Sequence, residues 1–310
     1  MAFLRAFGKY LPSRVVDNRE LGAALGVTPE WIESASGIRE RRYAGEGESV
    51  ADMAVSAARD CLRRAGVEGS QLAMIVVASG SAERHFPGPA VSIAGRLGIP
   101  GTPAIDLPMP SSGALFGIAL AARFPAGEGP VLVVAAERMS RIVRREPVDK
   151  NTAILFGDGA GACLVDPGRG AAEIRDCLLH SDGAYSEDLR LECGGALEMN
   201  GPSVLLQAAR KLPRAIADLL DRNRVPASEI GALLLHQANQ NLLDRVARAL
   251  QIAPDRVFSN IRGYGNTSSA SLLIAAAEWQ EAAGFSPRVP VVLAAFGAGF
   301  HWGALLAFGV

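Results

Sequence analysis

The chain has 310 residues, 49% of them hydrophobic, and its 31 lysines and arginines against 32 acidic residues leave a formal net charge of −1. That length and apolar content suit a large core of about two ordinary domains. The near-neutral balance, with charges spread along the chain, excludes the basic footprint of a nucleic-acid or anionic-membrane binder and leaves a small-molecule enzyme as the natural class.

In chain order, the opening MAFLRAFGKYLPSRVV lacks an apolar signal core, and no run of about 18 apolar residues follows it. The expected address is therefore the cytoplasm, with no membrane contact. Residues 50–66, VADMAVSAARDCLRRAG, carry a helical pattern, and a turn leads from them to the buried strand MIVVA. A second strand ends around Ile105 and Leu107, a turn runs through Pro108-Met109-Pro110-Ser111-Ser112-Gly113, and GALFGIALAARF reads as a buried helix. GPVLVVAAE at 129–137 is another buried strand. The glycine-rich Phe156-Gly157-Asp158-Gly159-Ala160-Gly161 has neither the Lys-Ser/Thr of a phosphate loop nor GxGxxG spacing, so it predicts close backbone packing rather than nucleotide binding.

Asp166-Pro167-Gly168-Arg169-Gly170 is a turn-rich seam. It divides the chain into halves 1–166 and 167–310. Residues 202–222 form a second long helical pattern, which Pro213 is expected to kink or split. The strand ALLL at 232–235 runs into His236-Gln237-Ala238-Asn239, and Tyr264-Gly265-Asn266-Thr267-Ser268 is a Gly-Asn turn feeding a helix of small residues. VPVVLAAFG, the loop FGAGF at 296–300 and HWGALLA at 301–307 close the chain.

These elements repeat. Residues 61–80 align with 219–238 as helix end, turn and strand, pairing Leu62 with Leu220, Arg64 with Arg222 and Val67 with Val225. Residues 129–137 then match 289–297, and 159–165 match 301–307, in the same order. The strands are short, β-branched and continuously apolar, as strands covered on both faces are. Alternation with helices predicts an α/β fold, and the duplication predicts two similar halves.

Three segments can carry chemistry. The four cysteines, Cys61, Cys163, Cys177 and Cys193, have neither CxxC spacing nor a disulfide pattern, and His85, His180 and His301 have no metal-ligand spacing with His236, so no metal is expected. Ser111 precedes a helix, where unpaired amides favour a developing anion; a plain capping serine is the other reading. His236 follows a strand's carboxyl end, where ligands gather in α/β sheets, although a lone histidine there also serves as a satisfied core residue. Asn266 is either a helix cap or a hydrogen-bond donor, and with His236 it can hold an enolate oxygen.

Tyr10-Leu11-Pro12, WIESASGIRERR at 31–42, the serine turn, FGDGAGA, HQAN, GNTSSAS and FGAGFHWG together resemble the 3-oxoacyl-acyl-carrier-protein synthase III family of the thiolase superfamily, over nearly the whole chain. The resemblance implies a layered αβαβα core of two duplicated halves, a homodimer, and a two-stage reaction without metal or cofactor. A nucleophile takes an acyl group from an acyl-coenzyme A or acyl-carrier-protein thioester, and the enolate of malonyl-acyl-carrier protein then attacks it. By the same resemblance Ser111 is the acyl acceptor, in the place of the family's cysteine. His236 and Asn266 are the decarboxylation pair, and the amides of Ser111 and Ala298 form the oxyanion hole. Trp31 and Lys150 flank the coenzyme, Leu205 lies near its pantetheine arm, and Phe86 enters the acyl pocket of a neighbouring subunit. Arg245 and Arg248 dock the carrier protein.

Five further positions depart from the family pattern: Lys150 and Ala35 replace arginines beside the coenzyme, Pro202 an asparagine, Leu205 a phenylalanine, and Asn241 an exposed docking arginine. No cysteine follows Cys193, unlike thiolases, and Asn266 stands where elongating condensing enzymes carry a second histidine. Ser111 is a natural divergence or an engineered replacement of the cysteine, and Pro108 and Pro110 beside it favour the first. Two other functions compete with decarboxylative condensation: acyl transfer to an alcohol or amine on the same fold, and a silent subunit that partners a condensing enzyme.

Overall fold

A computed structural model describes residues 1–125 and 127–310. The main sheet has ten strands in two groups of five. Ala104–Leu107, Met74–Ala78, Val131–Arg138, Asp158–Asp166 and Ala2–Tyr10 lie side by side in that order, and Ala172–Ser181, His301–Gly309, Pro290–Gly297, Ala232–Leu235 and Val257–Phe258 continue it. The two groups are joined only where Ala2, Phe3 and Leu4 pair with Ile174, Glu173 and Ala172. Read outward from that junction, each group runs through its first, fifth, fourth, second and third strand in chain order, which is the duplication expected from the repeat.

Alternate residues of each strand face opposite layers, and both faces are covered. Val131, Val133 and Ala135 face a central core with Leu115 and Ile118 of helix Gly113–Ala121 and Leu272, Leu273 and Ile274 of helix Ser271–Ala282. Leu234, Leu293 and Leu305 of the second group reach the same core from the other side. Leu132 and Val134 turn instead to the outer helices Val50–Ala65 and Pro89–Arg96, while Leu233 and Val292 turn to Gly201–Asn223 and Gln240–Ala249. The layers are therefore α, β, α, β, α. This double coverage explains the unbroken apolar strands, each fully buried Val, Leu or Ile contributing about 1.5–3 kcal/mol.

Two local expectations are corrected. Of the kink or split expected at Pro213, the split does not occur: the helix runs from Gly201 to Asn223 with Pro213 buried. Flanking Leu212, Ile216 and Leu219 pack on the second sheet group, and that burial outweighs the roughly 3 kcal/mol that an interior proline costs. The residue at the cap of helix Gly113–Ala121 is Ser112, not Ser111, and its side chain makes no capping bond. No helix among the described residues is long and apolar enough to cross a membrane.

Candidate active site

The strand Ala104–Leu107 delivers the turn that carries Ser111. Bonds from Met109 N to Leu107 O (2.8 Å), Ser112 N to Pro110 O (2.7 Å) and Gly113 N to Met109 O (3.1 Å) tighten it. Ser111 sits at φ +64°, a left-handed conformation that is uncommon outside glycine. Such strain persists where the surroundings over-determine it and is concentrated at functional turns. Here the surroundings are close: a Cβ on Gly297 would fall 2.3 Å from Pro110 O and 2.9 Å from Ser112 N, so only glycine lets the FGAGF loop rest on this turn.

His236 follows the strand Ala232–Leu235, and its amide extends the ladder to Ala294 O at 2.9 Å. Its Nδ1 lies 2.6 Å from Ser271 Oγ, at the start of the central helix. That hydroxyl also accepts from Gln237 N at 3.0 Å. Serine can donate to a ring nitrogen or accept from it, so it supports either imidazole tautomer and leaves Nε2 as the free ring atom. Burial lowers the His236 pKa to about 3, which keeps the ring neutral at physiological pH.

Asn266 is held by its backbone to the glycine-rich segment, its N donating to Leu155 O at 2.8 Å and its O accepting from Gly157 N at 3.0 Å. Gly265 before it has φ +67°, with Leu155 O 2.9 Å from where a Cβ would lie. The Asn266 side-chain oxygen accepts Ser268 N at 2.8 Å. Since a backbone N–H can only donate, this fixes the amide orientation and leaves Nδ2 as the donor. Its one protein partner is a long 3.4 Å contact to Ala238 O.

Ser111, His236 and Asn266 all line one cavity of about 270 Å³. Trp31, Ala35 and Asn151 stand at one part of its wall, and Val204, Leu205, Ala208 and Leu212 of the long helix form an apolar side. Trp31 is 38% exposed, with Lys150 Nζ 5.9 Å from its ring centre. The helix Gln240–Ala249 begins at this cavity, where Asn239 and Leu242 line it, and carries Arg245 and Arg248 on its exposed face. Phe86 is 88% exposed and is not among the residues lining this cavity. Ala298 lines a neighbouring cavity with Pro108 and Pro110, whereas Gly297 lines that of Ser111. The Ser111 amide already donates to Ser268 Oγ at 3.0 Å.

That last bond exposes a residue the sequence reading missed. Ser268 Oγ donates onward to Glu137 Oε1 at 3.0 Å, and the fully buried Glu137 also accepts Ser269 Oγ (2.7 Å), Ser81 Oγ (2.5 Å) and Gly80 N (3.0 Å). Burial pushes its carboxyl pKa up, and these donors partly oppose the shift. One carboxylate thus ties a loop of the first half to the 268–269 turn of the second and, through Ser268, to the turn that carries Ser111. Its signal was visible: an acid closes the otherwise apolar run VLVVAAE. Glu137→Ala should leave several buried donors without an acceptor and lower the unfolding free energy by about 3 kcal/mol or more. An unchanged urea midpoint would contradict that role.

The 3-oxoacyl-[acyl-carrier-protein] synthase III family model matches residues 105–183, and the model for that family's C-terminal part matches residues 220–307. A β-ketoacyl-[acyl-carrier-protein] synthase III of Oleidesulfovibrio alaskensis is 36% identical, with 98% of each chain covered. The crystal structure of 3-oxoacyl-[acyl-carrier-protein] synthase III from Aquifex aeolicus superposes with a TM-score of 0.94 at 31% identity, covering 99% of this chain and 100% of that one. A priming β-ketosynthase of a polyketide biosynthetic pathway gives 0.91 at 29% identity, covering 100% and 96%.

Proposed function

The chain belongs to the 3-oxoacyl-[acyl-carrier-protein] synthase III family of acyl-transferring condensing enzymes, and we propose that it performs their decarboxylative condensation through an ester on Ser111. The observation that carries this reading is the opening of Ser111, His236 and Asn266 onto one cavity.

In the first stage Ser111 Oγ attacks the carbonyl of an acyl thioester. Its proton passes to the neutral His236 ring at Nε2, the tautomer in which Nδ1–H donates to Ser271, and the coenzyme thiolate leaves with that proton. In the second, the ring takes its other neutral tautomer, with the Ser271 hydroxyl donating to Nδ1; malonyl-acyl-carrier protein loses carbon dioxide, and the enolate oxygen is held by Nε2–H of His236 and Nδ2–H of Asn266. The enolate carbon forms a bond to the ester carbonyl, the C–O bond to Ser111 breaks, and the serine alkoxide takes up a proton from solvent, the one proton that decarboxylation of the malonate anion consumes overall. Amides of Ser111 and Ala298 serve as oxyanion donors in this reading; the first must exchange Ser268 Oγ for the substrate oxygen. Trp31 and Lys150 border the coenzyme, Leu205 the pantetheine arm, and Arg245 and Arg248 the acidic carrier. No step calls for a metal or cofactor, and the halves 1–166 and 167–310 supply the nucleophile and the His/Asn pair respectively.

Intact-protein mass spectrometry after incubation with acyl-coenzyme A and acyl-carrier donors tests the first stage. An adduct on the parent chain, lost in Ser111→Ala, is expected; its absence with every donor, in a folded protein, would favour the silent-subunit reading.

We infer a homodimer from one apolar face. Phe86, Val91 and Ile105 are 88%, 59% and 45% exposed, and they belong to neighbouring elements linked by the bond from Ala90 N to Asp106 at 2.9 Å. The strand Ala104–Leu107 is also the outermost of its group. Exposed apolar groups gathered in this way mark interaction surfaces. Ile105→Asp should shift the protein to monomer in sedimentation and abolish condensation, because Phe86 then reaches no neighbour. A fully active monomer would overturn the inference.

A further inference from the structure

Away from the Ser111 chamber, and sharing none of its lining residues, lies a cavity of about 530 Å³ walled by four arginines, Arg14, Arg138, Arg141 and Arg144, together with Tyr43 and Glu46. Arg14 pairs with Glu20 at 2.5 Å and stands over the Tyr43 ring at 5.9 Å. Arg138 gives Nη2 to the carbonyls of Gly45 (2.9 Å) and Glu46 (3.1 Å), and Arg141 gives Nη2 to those of Ser81 and Ala82, both at 3.3 Å. Their Nε atoms are buried and unpartnered among the described residues, and so is the Tyr43 hydroxyl. Tyr43 is only 4% exposed.

These atoms are half of the six buried unpartnered side-chain atoms among the described residues, and all three belong to residues that wall one cavity. These three atoms are closed off from the cavity, and the cationic character of its wall comes from the four guanidinium groups, of which Arg144 is exposed and Arg138 and Arg141 are half-buried. The nearby carboxylates are Glu46 on the wall, Glu20 on Arg14, and Asp158 beneath. Asp158 is already occupied by Ser140 N (2.8 Å), Ser140 Oγ (2.6 Å) and Ala44 N (2.8 Å). Among the described residues, Arg138, Arg141 and Arg144 form no ion pair with any acid. Guanidinium groups arranged around a concave site match a tetrahedral oxyanion, whose several oxygens can each accept two or more donors.

We propose that this cavity binds the phosphate group of a small phosphate-bearing anion. Arg138 and Arg141 hold it by the Nη1 atoms their carbonyl bonds leave free, and the exposed Arg144 closes the rim. The site is separate from the chamber that takes the acyl thioester, and it does not depend on the reading of Ser111.

The phosphate could be free or could come from the coenzyme's own phosphates, and calorimetry on the full chain separates the two. Inorganic pyrophosphate, titrated in a phosphate-free buffer at low ionic strength, should bind once per chain. Arg138→Gln with Arg144→Gln should weaken that binding tenfold or more. Lys150→Ala, beside Trp31, should leave pyrophosphate binding unchanged. If coenzyme A displaces pyrophosphate from the parent and its own affinity falls in the double arginine variant, the phosphate is the coenzyme's; if it never competes, a free anion is the ligand. No binding, equal binding in the double variant, or loss in Lys150→Ala instead would overturn the proposal.

Discussion

Ser111→Cys is expected to form a covalent acyl adduct roughly 10²-fold faster than the parent, or more. A thiol starts only a little above neutrality in pKa, and the unpaired amides at the head of helix Gly113–Ala121 favour its anion. The serine hydroxyl must instead give up its proton during attack, and general-base assistance to such a step is worth about 10²–10⁴. In the proposed mechanism the base is the buried, neutral His236, held through Nδ1 by Ser271. The replacement is nearly isosteric and none of the turn's bonds uses the Ser111 side chain, so its geometry should persist. Intact-protein mass spectrometry against time reads both adducts, and alkylation at position 111 reports the thiolate. A folded Ser111→Cys protein that acylates with no donor would mean that the turn has lost transfer chemistry altogether.

The second large effect concerns carbon dioxide release. His236→Ala and Asn266→Ala should each lower decarboxylation of malonyl-carrier protein by about 10²-fold, the usual consequence of deleting one donor to a developing oxyanion. Both donors are pre-set before substrate arrives: Ser271 holds the imidazole, and Ser268 N pins the Asn266 oxygen so that Nδ2 is free to donate. Removing either leaves the enolate charge half-stabilised in a largely apolar chamber. Radiolabelled carbon dioxide release is the measurement, and equal release from parent and both variants would remove the pair from the mechanism. Because this pair is separate from the nucleophile, decarboxylation should also continue in Ser111→Ala while condensation stops. Loss of both together would imply that Ser111 holds the malonyl group itself.

Much of the architecture could be read from local pattern. The aligned repeats and their short, doubly apolar strands imply paired α/β halves, because a strand buried on both faces has no reason to alternate and a duplicated core repeats its order. The strand-end positions of Ser111 and His236 and the turn at Asn266 were legible for the same reason: strand termini, helix starts and glycine turns are local features. Their assembly was not. Glu137, Ser268 and Ser271 come from distant parts of the chain, and only packing brings the carboxylate of one half to the hydroxyls of the other. Pro213 shows the opposite limit, since a local rule against interior proline yields to the tertiary burial of Leu212, Ile216 and Leu219.

The amino-acid sequence by itself determined the fold class, the family and the three residues proposed for chemistry, because these depend on periodicity, motif and spacing along the chain. Tertiary structure alone decided the strained φ of Ser111, the neutral state of His236, the orientation of the Asn266 amide and the gathering of four arginines around one cavity. Those properties depend on which groups lie within a few ångströms through space and on how much water is excluded around them, and neither quantity is a function of position along the chain.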